Sequence, residues 1–197
     1  MENGILKTTC RMNVLLIVDV QKDFCPGGAL PAEQGDQVVP VINGLMDRFD
    51  LVIASKDWHP AQTVHFEKWP RHCVKNTEGA EFHEDLEVGN IDQVVLKGTG
   101  NQDDGYSAFE ATNVDLNAYL KINGTENLYI SGLTTDYCVE QSALDAARKG
   151  FHTIVITDAI QAVNINPGDG DKSLKKMKEA GCRLLTSKQV LEQLPQK

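Results

Sequence analysis

Six short runs rich in Val, Ile and Leu recur along the 197-residue chain: NVLLIVDV (13–20), LVIASK (51–56), QVVLKG (93–98), NLYISGL (127–133), HTIVITDA (152–159) and the shorter CRLLTS (182–187). None alternates cleanly between apolar and polar positions, so none can keep one face in water. Each suits a strand covered on both sides, which is the habit of parallel sheets. Segments of helical length stand between several of them, at 35–49, 135–150, 170–181 and 187–194. The second places Cys138, Val139, Ala143, Leu144 and Ala147 at helical spacing and ends at Gly150, a natural C-terminal cap. Strand and helix in repeated alternation predict an α/β fold of the three-layer, Rossmann-like kind. Its mainly parallel central sheet carries helices on both faces, joined by right-handed crossovers.

Length and composition narrow what such a fold can serve. A chain of 197 residues suits one domain, expected over 13–197, with 1–12 as a short extension. The net charge of −9 is the wrong sign for nucleic acid or an anionic membrane surface, and small molecules become the expected partners. Five cysteines at positions 10, 25, 73, 138 and 182 form no CxxC pair, which points to free thiols in a reducing compartment. No leader-like or membrane-length apolar stretch is apparent, and a cytoplasmic protein is expected. A homo-oligomer is left open.

Two stretches break the alternation: 21–36, rich in Gly and Pro, and 57–92, too long and polar for a simple connection. Both follow predicted strands. They therefore belong at the carboxyl end of the sheet, where folds of this class bind ligands.

The chemistry-bearing residues gather at those same places. KDWHPAQTVHFEKWPRHC (56–73) holds Asp57, His59, His65 and His72, a set of imidazoles and a carboxylate that suits Zn²⁺, Fe²⁺ or Mn²⁺. In an extended chain Asp57 and His59, two apart, point to one side. Surface histidines with capping or loop duties would give the same spacing. SGLTTDYCVEQSA puts Cys138 just after a strand, on the first turn of a helix whose dipole favours thiolate, as a nucleophile needs. A small buried hydrophobe is the rival reading for this residue, and the one adopted for Cys10, Cys25, Cys73 and Cys182. Asp19 and Lys97 each interrupt or end an apolar run, so each either meets solvent or faces a partner above the sheet.

Taken in order, DVQKDF, KDWH, WPRHCV, LKGT and GLTTDYCV resemble the motifs of the nicotinamidases (pyrazinamidases) of the isochorismatase-like cysteine hydrolase superfamily, over about residues 13–187. The resemblance implies a catalytic triad of Asp19, Lys97 and Cys138. It implies one divalent metal ion, zinc first and iron or manganese next, on Asp57, His59 and His72. His65 matches the fourth ligand of one branch, whereas other members carry Ser there and use water. Phe24, Trp69, Tyr106 and Leu133 map to the substrate pocket, and a cis peptide at Leu133–Thr134 would aim the amides of Thr134 and Cys138 at an oxyanion. The implied reaction takes nicotinamide, and pyrazinamide with it, to the acid and ammonia through a cysteine thioester, feeding NAD salvage without an organic cofactor. Rival readings are a metal-independent amidohydrolase of ureido or N-carbamoyl compounds, an isochorismatase proper, which commonly lacks the cysteine, and a zinc-stabilised binding protein without turnover.

Overall fold

Residues 12–195 are described by a computed structural model, in which the six apolar runs become six strands: β1 (Met12–Val18), β2 (Leu51–Asp57), β3 (Gln93–Lys97), β4 (Thr125–Leu133), β5 (His152–Gln161) and β6 (Arg183–Leu185). They form one sheet in the order β3-β2-β1-β4-β5-β6, with every pairing between these strands parallel. β1 already includes Met12, one residue before the expected domain boundary, and Cys10 lies outside the described residues.

Alternation along β1 explains the three layers. Val14, Leu16 and Val18 belong to one core and Leu15 and Ile17 to the other, all five fully buried. The first core is closed by α2 (Leu116–Ile122), α3 (Glu140–Arg148) and α4 (Asp169–Glu179), which supply Leu116, Leu120, Ala143, Ala146 and Met177. The second is closed by α1 (Val38–Met46) and α5 (Ser187–Gln193), through Val38, Ile42, Leu45 and Val190. Each such Leu or Ile removed from water contributes about 1.5–3 kcal/mol before entropy is counted. Among the described residues no helix is long and apolar enough to cross a membrane.

Pro40 sits in the first turn of α1, where its missing N–H costs no hydrogen bond. α2 is a helix the apolar pattern does not announce. It is seven residues long and starts at Asp115, whose carboxylate accepts from the Ala118 amide at 3.0 Å. The segment from 135 opens with a π-helical turn, Thr135–Val139, before α3.

β1 and β4 are adjacent, while the chain from β1 runs outward to β2 and β3 and the chain from β4 runs outward to β5 and β6. Strand order therefore reverses between β1 and β4, and a crevice opens at their carboxyl ends. The two long loops follow β1 and β2 and fold over that end as 3-10 turns. They are tied together by Asp23, whose carboxylate accepts from the amides of Cys73 at 2.7 Å and Ala29 at 3.2 Å.

Candidate active site

Parallel strands that end side by side bring their last residues together. Asp57 ends β2 and Lys97 ends β3, and the two are register partners. Asp19 follows β1 with φ +47°, and its backbone N–H donates to the Ser55 carbonyl at 3.2 Å. The Ser55 hydroxyl donates back to Asp19 Oδ1 at 2.7 Å. Lys97 is fully buried, and its ammonium donates to Asp57 Oδ1 at 2.5 Å, the Gly105 carbonyl at 2.6 Å and Cys138 Sγ at 3.4 Å. All three donors of the lysine are thus spent. Asp19 Oδ2 stands 2.7 Å from the same Nζ as a fully buried ion pair.

Electrostatics follow from this enclosure. Burial works against the Lys97 charge, but Asp19, Asp57 and Cys138 outweigh it and hold its pKa well above the ordinary value. Burial pushes Asp19 up to about 6, with Lys97 pulling the other way. Asp57 is also pushed up by burial, yet Lys97, His59 and His72 together bring it below the usual carboxylate range. For Cys138 burial dominates, only partly offset by Lys97 and reinforced by Asp19 and Asp57, so its pKa rises well above the ordinary thiol value. Burial thus works against the preference for thiolate that the helix dipole gives. A helix end acts over one turn, whereas desolvation acts on the whole group.

Cys138 reaches this cluster from the π-helical turn after β4. The peptide Leu133–Thr134 is cis, and the Thr134 carbonyl accepts from the amides on either side of Cys138, those of Tyr137 and Val139, both at 3.1 Å. Asp19, Asp57 and Cys138 each offer an atom within 4.8 Å of the other two.

Across from the thiol, His59, His65 and His72 are all buried, and each offers a ring nitrogen within 4.8 Å of the others. Burial, with the neighbouring imidazoles, lowers His65 to about 4, and burial likewise lowers His72, so both are neutral at pH 7, the state in which imidazole binds metal. The His72 Nδ1–H donates to the Pro70 carbonyl at 2.7 Å, leaving Nε2 to face Asp57 Oδ2 at 3.9 Å. His59 Nε2 is 3.7 Å from the same oxygen, and neither His59 nitrogen has a hydrogen-bond partner among the described residues. Two orphaned nitrogens on a buried imidazole, beside two neutral imidazoles and a carboxylate, fit a divalent metal ion. Asp57 belongs to both constellations, with Oδ1 on Lys97 and Oδ2 toward the histidines. Gly98 allows the packing: at φ +63°, a Cβ there would stand 2.5 Å from the His59 ring.

Between thiol and histidines lies a small cavity lined by Phe24, Trp69 and Tyr106 together with Asp57, His65, His72, Thr134 and Cys138. Leu133, expected on its wall, ends β4 with its side chain fully buried among the core residues. Its Cδ1 lies 3.4 Å from the place a Cβ on Gly35 would occupy. Leu30, Gly105, Tyr137 and Val163 line the cavity without having been singled out.

Residues 13–189 match the Isochorismatase domain family. The chain belongs to the isochorismatase family. Within it, the chain is 39% identical to the nicotinamidase of Escherichia coli (strain K12), over 87% of this chain and 93% of that one. The solved pyrazinamidase of Pyrococcus horikoshii in complex with zinc is 39% identical, with a TM-score of 0.80 over 89% of this chain and 99% of that one. PnC1 of L. infantum in complex with nicotinate is 33% identical, with a TM-score of 0.84 over 90% and 93% of the two chains.

Other residues that shape this family member's site are polar groups holding the functional ones. Gln21 is fully buried and clamps the Asp57 backbone, accepting from its N–H and donating to its carbonyl, both at 2.8 Å. The DVQ run that contains it is visible in the sequence, but a glutamine carries no chemical signal of its own.

Proposed function

We propose that this isochorismatase-family protein hydrolyses the carboxamide of nicotinamide, and of pyrazinamide, to the acid and ammonia through a thioester on Cys138. The observation that carries the reading is the buried lysine whose ammonium reaches Asp57, the Gly105 carbonyl and the Cys138 sulfur and pairs with Asp19 at 2.7 Å. That is an arrangement for moving one proton off a buried thiol. The nicotinamidase and pyrazinamidase names of its relatives, and the nicotinate in one of them, support the same substrate class.

In this reading Sγ attacks the carboxamide carbon while Asp19 Oδ2 takes the thiol proton, and Lys97 stabilises the charge that develops on sulfur and carboxylate. The amides of Thr134 and Cys138 receive the oxyanion, each such donor contributing about 3 kcal/mol in comparable sites. The C–N bond then breaks, Asp19 returns its proton to the departing ammonia, and water cleaves the thioester with Asp19 again as base. Phe24, Trp69 and Tyr106 hold the aromatic ring. His59, His65, His72 and Asp57 would hold the metal ion, which is zinc in this proposal, although iron or manganese would suit the same ligand set. When bound, the ion supplies a Lewis-acid position for the ring nitrogen. The enzyme works in the cytoplasm as a single domain over 13–197, on a small molecule, and its nicotinate feeds NAD salvage.

Against the alternatives, a metal-independent amidohydrolase of ureido or N-carbamoyl compounds leaves the orphaned His59 nitrogens without a use. A binding protein without turnover leaves the Asp19, Lys97 and Cys138 cluster without one. Ammonia release separates them. Nicotinamide and pyrazinamide are expected to yield ammonia and an N-carbamoyl amine is not, whereas release from the last alone defeats the proposal.

A further inference from the structure

We propose that Asp103 is a positioning residue that holds His65 and the Trp69 indole through a single carboxylate, and so ties the metal cluster to the aromatic wall. The inference rests on reading the three histidines as metal ligands. Asp103 Oδ1 lies 3.1 Å from His65 Nδ1 and also accepts from the Tyr106 hydroxyl at 2.8 Å. The Tyr106 oxygen in turn accepts from the indole Nε1–H of Trp69 at 3.0 Å. The indole lies nearly parallel to the His65 ring, with 6.4 Å between centroids and 24° between planes. Lys68, from the same turn as His65, pairs with the other carboxylate oxygen.

The direction of every bond in this chain is forced by chemistry. An indole nitrogen can only donate and a carboxylate can only accept, so the tyrosine between them must accept from Trp69 and donate to Asp103. The same rule puts the His65 proton on Nδ1 and leaves the Nε2 lone pair for the cluster. One carboxylate therefore selects the ligand tautomer and, two bonds away, the plane of the ring that would stack on substrate. An Asp103 that served only its ion pair with Lys68 would influence neither, because an exposed pair of this kind contributes little.

The Asp103 side chain is 26% exposed, so removing it opens no cavity in the core. The test compares full-length wild type, Asp103→Ala and Tyr106→Phe by zinc affinity, measured against a competing chelator, and by separate KM and kcat values for nicotinamide. Asp103→Ala is expected to weaken zinc about 10- to 100-fold and to raise KM by a larger factor than it lowers kcat. Tyr106→Phe keeps the His65 contact and cuts the indole arm, so KM rises while zinc affinity stays within about twofold. An Asp103→Ala variant with unchanged zinc affinity overturns the inference, as does an unchanged KM in both variants. A wild-type protein that binds no zinc, iron or manganese overturns it together with the metal reading, whereas zinc bound equally by wild type and Asp103→Ala sinks this inference alone.

Discussion

Asp19 carries an acidity that the reaction can report. A carboxyl pushed up to about 6 is mostly protonated below that pH, and a protonated Asp19 cannot take the thiol proton. The rate constant kcat/KM is therefore expected to fall about tenfold per unit as pH drops below roughly 6, and to level off above it. A pH–rate profile flat down to pH 4.5 would remove Asp19 from the role of base. Lys97 makes a second prediction at this scale. Lys97→Met leaves Asp19 and Asp57 buried without their counter-ion, which should cost about 3–5 kcal/mol in urea unfolding and abolish turnover. For Asp19, Lys97 and Cys138 the residues alone left a solvated strand end or a small buried thiol as rival readings, and the ordered motifs pointed to their convergence. Ser55 and Asp103 were not legible in the sequence, since a serine inside a strand and an acid in a polar loop look the same whether they hold a functional group or meet water.

The strand ends set the site at the next scale. β2 delivers Asp57 and Ser55 together, and the loop after β1 returns Gln21 to clamp β2 in place, with a further bond from the glutamine to the Ala80 carbonyl at 2.8 Å. Gln21→Ala would strand the Asp57 N–H and two carbonyls in the interior. A loss of about 3 kcal/mol is expected, at the lower end of the range for that many unmet groups. Denaturant unfolding measures it, and a change under about 0.5 kcal/mol would show that water or relaxation replaces the clamp. The parallel strands were legible from their unbroken Val, Ile and Leu content, and the long loops from their position after them. Two elements were not: α2 is too short for its periodicity to stand out, and the π-helical turn at Thr135–Val139 differs from an ordinary helix start only in backbone hydrogen bonding, which residue types do not encode.

At the scale of the whole molecule, the sheet's switch point joins the Asp19, Lys97 and Cys138 cluster to the three histidines across one aromatic-lined cavity. The isolated protein is expected to hold about one divalent ion per chain, and His59→Ala or His72→Ala to lose it, which elemental analysis would show. Full activity after exhaustive chelation would contradict the metal's role. If a ring nitrogen is recognised at that cluster, benzamide should be poorer than nicotinamide by up to about 10⁴-fold in kcat/KM, since a site built around a polar partner rejects analogues that lack it. Benzamide within about tenfold would reduce the 57–73 loop to a structural element. The central claim is that Cys138 carries the acyl group during amide hydrolysis. Its most direct test is ammonia release from nicotinamide by wild type and by a Cys138→Ala variant matched for fold and metal content. Wild type is expected to release one ammonia and one nicotinate per amide and the variant to lose at least about 10³-fold, whereas a variant within about tenfold of wild type would contradict acyl transfer to Cys138.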